Sequence, residues 1–248
     1  MSDRRKPSDP SRHEKRATSS RATYVLAGVA VVVVAALVIL GFVFNANKKD
    51  RGPVSEKVLN QNAALIVGEP AAKTTIDVFE DFLCPSCKQF EDKSGQPIVD
   101  AVNAGTLRVR YHMLTFLNSR SASGDYSERA AAALQCVGEA NDPKVFFRFH
   151  TALFKDQPAE GGDSDHSNAD LARIAGQQGA AQPTQQCISS GAKLEAAKEA
   201  ATQSRTQLEK ALETSAVGTP TVLLNGEPVD GIQDGPEWLT KILTKETE

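Results

Sequence analysis

The sequence predicts an α/β domain, one sheet with an inserted α-helical subdomain, preceded by a single transmembrane helix. Three observations predict it. Strand-like runs at 63–117 and again after residue 216 bracket a helix-rich block at 118–215, the pattern of a sheet interrupted by an insertion. An uncharged apolar run occupies 24–44, and about 20 apolar residues suffice to cross a bilayer as a helix. Finally, Cys84-Pro85-Ser86-Cys87 follows a strand directly and opens a helix.

The elements follow in order. Residues 1–23 are rich in Ser, Pro and charge, with seven basic residues against three acidic, so a disordered cytoplasmic tail is expected by the positive-inside rule. Its basic residues can also meet anionic lipid headgroups. The 24–44 run contains Val31-Val32-Val33-Val34 and is longer than a signal-peptide core. The flank Asn45-Ala46-Asn47-Lys48-Lys49 offers no small-residue cleavage site. An uncleaved anchor is therefore expected, with the remainder of the chain outside the cytoplasm. Residues 45–62 are polar, hold Gly52-Pro53 and read as a tether.

The domain proper begins at 63. Residues 63–67 and 74–80 read as strands, and 87–104 as a helix with a kink near Gly95 and Pro97. The run 107–114 alternates apolar and polar at first, then turns apolar, as a strand does. Helices are expected at 126–140, 143–154, 168–177 and 193–214, with Asp142 and Asn168 as N-caps. Thr221-Val222-Leu223-Leu224 followed by Asn225-Gly226 signals a hairpin continuing to Val229 and Ile232. A last helix is expected at 236–244. The sheet domain is thus assigned to 63–117 and 216–248.

Charge and cysteine usage narrow the function. Beyond the tail, 21 basic residues face 28 acidic ones, which argues against nucleic acid as a partner. All four cysteines lie beyond the apolar run, as suits an oxidising compartment. A thiol at a helix N-terminus meets exposed N–H groups and the positive end of the helix dipole. In a Cys-x-x-Cys so placed its pKa falls from about 8.5 to roughly 3.5–7.5. Cys84 and Cys87 therefore read as a reactive redox pair.

Phe82-Leu83-Cys84-Pro85-Ser86-Cys87, the later Val217-Gly218-Thr219-Pro220-Thr221, and the helical block between them resemble the DsbA-type thiol:disulfide oxidoreductases of the thioredoxin fold. With the anchor, the chain looks most like the membrane-anchored DsbA-like proteins of actinobacteria. The resemblance implies a thioredoxin-like fold, Cys84 as the exposed reactive thiol and Cys87 as its buried partner. It implies a dithiol oxidase that forms disulfides in exported proteins. A membrane quinone-linked oxidase of the DsbB or vitamin K epoxide reductase type would restore the Cys84–Cys87 bond. A disulfide isomerase or thiol reductase would use the same site. A non-catalytic anchored chaperone or binding module is the alternative of a different class. No cofactor is implied.

Pro85 suits the first helical position, where its missing N–H costs nothing. Ser86 stands where the best-known relatives have histidine. A hydroxyl brings no positive charge, which implies a weaker oxidant. Taken alone, Thr219-Pro220 marks a turn; the resemblance makes it a cis-proline loop that faces the cysteines, pairs with substrate backbone and tunes Cys84. Glu80 and Asp81 read most simply as strand-end charges in solvent, and alternatively as a proton acceptor for Cys87. Cys136 and Cys187 lie outside any Cys-x-x-Cys. They read as a structural disulfide rather than a second redox pair. His112, His150 and His166 are scattered, and without ligand spacing no metal site is expected. Phe146, Phe147, Phe149 and Phe154 read as core.

Overall fold

Thr74–Glu80 and Leu107–Met113 alternate side chains across a sheet, and both are buried on nearly every position. That is the signature of central strands covered on two faces. In the computed structural model, described over residues 65–245, they are β2 and β3 and pair in parallel, with Asp77 opposite Arg110. β1 (Leu65–Val67) adds antiparallel to β3, and β4 (Thr221–Leu224) antiparallel to β2. β5 (Glu227–Pro228) completes the order β1-β3-β2-β4-β5. The hairpin turn uses Asn225 and Gly226 at φ 53° and 82°, as a two-residue turn between antiparallel strands requires. β5 is shorter than the sequence predicts, although the Val229 N–H still donates to the Val222 carbonyl at 2.9 Å just beyond it. The tail, the 24–44 run and the tether lie outside the described residues. Among the described residues, no helix is long and apolar enough to cross a membrane.

The helix predicted at 87–104 is three pieces. α1 (Pro85–Phe90) runs into a π-helical turn, Glu91–Gly95, and then α2 (Gln96–Asn103). Pro97 sits in the first turn of α2; its lack of an N–H breaks the ladder where the sequence predicts a kink. Helices α3 (Tyr126–Glu139), α4 (Pro143–Lys155), α5 (Asn168–Gln177), α6 (Gln182–Ser189) and α7 (Leu194–Ala211) form the inserted block. α6 is not foreseen from sequence: it is rich in Gln and buries only Thr184 and Ile188. Asp142 caps α4, accepting from the N–H groups of Lys144 and Val145. The cap of α5 is Ser167, in a capping box with Asp170, one residue before the expected Asn168. α8 (Glu237–Lys245) closes the chain.

The block packs directly on the sheet. Phe146, Phe149 and Leu153 of α4 share one apolar cluster with Ile76, Val78 and Tyr111. On the opposite sheet face, Phe79, Leu114 and Leu223 pack with Leu208 of α7. That face also buries Asp77, which accepts two 2.7 Å hydrogen bonds from Arg110 and lies 2.9 Å from His112 Nε2. His112 is thereby committed to a structural network, stacked on Phe79 at 4.4 Å.

Cys136 of α3 and Cys187 of α6 are bonded, with Cα atoms 5.9 Å apart. Closing a loop with a sequence separation of 51 removes denatured-chain entropy worth about 4 kcal/mol. Replacing both by alanine is expected to lower the unfolding free energy by about that amount in urea denaturation, with the reactivity of Cys84 preserved.

Candidate active site

The carboxyl end of β2 delivers the site. After Glu80, Asp81 turns the chain: its carboxylate accepts from Leu83 N–H at 2.9 Å, Leu117 N–H at 3.0 Å and the Ser127 hydroxyl at 2.6 Å. Its carbonyl accepts from Cys84 N–H. Cys84 is the N-cap of α1 and Pro85 its first residue, so α1 starts at the motif. Gln157, just beyond α4, donates from Nε2 to the carbonyls of both Phe82 and Cys84 at 3.0 Å. Lys88 reaches from α1 to the carbonyls of Phe154 and Lys155 at the end of α4, where a cation complements the helix terminus. The loop is therefore held by the helical block as well as by the sheet.

Both cysteines are free of a disulfide. Cys84 retains 8% exposure and Cys87 none, so a reacting partner can reach only the first. The Cys84 thiol pKa is lowered to about 6. The hydrogen bond from the Cys87 thiol is the largest cause, opposed by burial and reinforced by the Thr219 side chain and the backbone N–H groups of Cys87 and Ser86. Burial first, then the Cys84 hydrogen bond and the charge of Glu80, push the Cys87 thiol well up. One sulfur is held as thiolate and the other as thiol.

Thr219 faces the pair, its carbonyl 3.4 Å from Cys84 Sγ, and the Thr219-Pro220 bond is cis. Pro85 and Ser86 are exposed beside Cys84; Ser86 acts on the thiolate through its backbone N–H.

Glu80 and Asp81 are not strand-end charges in solvent: neither has any exposure. Asp81 is committed to positioning the loop. Glu80 points the other way, into the core, where burial, with the charge of Cys84, holds its carboxyl well above the usual range. Sequence reasoning misses Gln157, Glu91 and His150. His150 Nε2 lies 3.0 Å from Glu80 Oε2, and Nδ1 lies 3.6 Å from Glu91 Oε2. The available signal is a histidine at i+4 from Phe146 on the apolar stripe of α4, a position that demands a buried partner. The donor atoms of these three residues lie within 4.8 Å of one another. Burial lowers the His150 pKa and raises that of Glu91 to about 8. Neutral side chains of this kind make an acid cluster, with Glu80 and His150 in hydrogen-bond contact and Glu91 just beyond it, rather than an anionic cage. His166 is elsewhere, with Nε2 2.7 Å from the Asp156 carbonyl.

A parallel-paired core strand ending at a Cys-x-x-Cys on a helix start, opposite a cis-proline loop, defines the class of thioredoxin-fold dithiol proteins. A family model described as thioredoxin matches residues 60–244. Serine/threonine-protein kinase PknE of Mycobacterium tuberculosis is 41% identical over 192 residues, covering 77% of this chain and 33% of the kinase. The chain thus spans about a third of the length of the curated relatives it matches. The reduced disulfide bond oxidoreductase DsbG of Mycobacterium tuberculosis is 34% identical with a TM-score of 0.60, over 73% of this chain and 83% of that one. DsbA from the same organism is 32% identical with a TM-score of 0.60, over 73% and 87%. MdbA, a thiol-disulfide oxidoreductase from Corynebacterium diphtheriae, shares the fold at 24% identity, with a TM-score of 0.63 over 76% and 91%. The chain belongs to the thioredoxin family, and among solved structures it is similar to DsbA-like thiol:disulfide oxidoreductases.

A lowered thiol pKa is a stability term with a definite sign. The unfolded thiol titrates near about 8.5. The stabilisation from the folded Cys84 thiolate is thus fully present above that pH and is lost as pH falls through about 6. The unfolding free energy of the reduced protein is expected to exceed that of Cys84→Ser at pH 9. The gap should close by pH 5 in urea titrations under reducing conditions.

Proposed function

We propose that this protein is a dithiol oxidase that forms disulfides in exported proteins through Cys84 and Cys87. The observation that carries the reading is the held Cys84 thiolate: a stabilised thiolate is a good leaving group, which makes the Cys84–Cys87 disulfide oxidising. A substrate thiolate bonds to Cys84 Sγ, the Sγ–Sγ bond breaks, and its electron pair goes to Cys87. The substrate's second thiolate then attacks its own sulfur and expels Cys84 as thiolate. Net, the substrate dithiol is oxidised and the enzyme disulfide reduced.

In this reading Thr219 and Pro220 meet substrate backbone, and Pro85 and Ser86 border the entry to Cys84. Glu80 exchanges the Cys87 proton, and the Cys136–Cys187 bond is structural. The apolar run at 24–44 anchors the protein in the cell membrane, with the tail cytoplasmic and the domain outside. A quinone-linked membrane oxidase of the DsbB or vitamin K epoxide reductase type would restore the disulfide.

The oxidised protein is expected to oxidise a reduced dithiol peptide, and Cys84→Ser to abolish the reaction. Equilibration with glutathione should give a reduction potential less negative than thioredoxin's about −270 mV. A potential at or below thioredoxin's would instead make the protein a reductase.

A further inference from the structure

The mechanism above leaves two buried titratable groups without a task. His150 is enclosed by aromatic rings, with Tyr111 and Phe154 centroids at 4.7 and 5.1 Å and Phe82 and Phe146 close by. One ring nitrogen faces Glu80 and the other faces Glu91. Glu91 opens the π-helical turn, a feature frequent at functional sites. Its carboxylate folds inward over Gly95: a Cβ on that glycine would lie 2.6 Å from Glu91 Oε2. Oε1 of Glu80 and Oε1 of Glu91 are buried with no hydrogen-bond partner among the described residues. Two inward-facing carboxyls with a spare oxygen each, joined by an imidazole, have the connectivity of a proton wire. Side-chain exposure is nil at Glu80, 1% at His150 and 5% at Glu91, so Glu91 is the end toward water.

We propose that Glu91 and His150 extend Glu80 into a relay that carries a proton between water and Cys87. The inference rests on the dithiol chemistry above, in either direction of electron flow. When a thiolate bonds to Cys84 Sγ, the Sγ–Sγ electron pair goes to Cys87 Sγ, which takes the proton of the Glu80 carboxyl. The Glu80 carboxylate takes the His150 Nε2 proton while Nδ1 takes that of Glu91. Glu91 is left ionised and recovers a proton from water. Reoxidation runs the same path backwards. The other titratable groups around the relay are Cys84 and Cys87 on the α1 side, Tyr111 of β3, whose hydroxyl burial keeps protonated, and Asp92 beside Glu91. Glu91 and His150 act through Glu80 and are positioning residues for the reaction.

The test is reduction of the oxidised full-length protein by dithiothreitol, followed by acid quench and thiol alkylation from pH 5 to 9, in water and in deuterium oxide. Glu91→Gln is expected to slow exchange about tenfold or more at pH 7, flatten the pH profile and alter the solvent isotope effect. Gly95→Ala keeps every relay group but displaces the Glu91 carboxylate, and should reproduce the change; it decides alone if Glu91→Gln does not fold. Asp92→Asn, at an exposed neighbour, should keep the wild-type isotope effect and a pH-dependent rate, moved only in the direction of a lower Glu91 pKa. A folded Gly95→Ala or Glu91→Gln protein with wild-type rate, pH profile and isotope effect overturns the relay. Dithiothreitol exchange that depends on Glu91, in a protein inert toward dithiol peptides, supports the relay while removing the oxidase reading.

Discussion

The hydrogen bond between the two site sulfurs divides one proton unequally: Cys87 keeps it and Cys84 goes without. Everything around the pair makes that division one-sided. The Cys84 thiolate sits at the start of α1, where backbone N–H groups and the Thr219 side chain favour charge. Cys87 is sealed in the core beside Glu80, where charge is disfavoured by burial. A motif of four residues thus yields one accessible thiolate and one buried thiol.

Such a division needs a site that does not drift. Sub-ångström changes in sulfur–donor distance would blur the difference between the thiols. The sheet supplies one anchor. Asp77, Arg110 and His112 join β2 and β3 by charge-assisted bonds out of contact with water. Removing one partner from such a buried set typically costs 3–5 kcal/mol. The helical block supplies the other anchor through Gln157 and Lys88, which bind the motif loop and α1 to the end of α4. From the remaining side, α8 holds the π-helical turn: Trp238 donates to the Ser94 hydroxyl at 3.0 Å and packs near Phe90.

Much of this is legible in the chain. The strand at 107–113 declares itself by alternation and that at 74–80 by β-branched content, and the kink by Pro97. Cys84, Cys87 and the Asn225-Gly226 turn are local signals that need no tertiary information. The rest depends on burial that local pattern does not reveal. Glu80 and Asp81 are adjacent carboxylates with opposite surroundings: alternation along the strand sends one into the core and the other to three donors in the loop. Glu91 faces inward because a π-helical turn rotates it and Gly95 leaves room. His150 sits among phenylalanines, where spacing alone suggests packing, and only its neighbours across the fold give it partners. The α6 helix is too polar to announce itself.

The chemistry of the site depends on the inequality of the two thiols, and the most direct measurement of it is a titration of the reduced protein labelled with 13C at the cysteine β-carbons, followed by NMR. Cys84 should titrate with a midpoint near 6, while Cys87 stays protonated well above the usual thiol range. Two thiols titrating together near about 8.5 would contradict it.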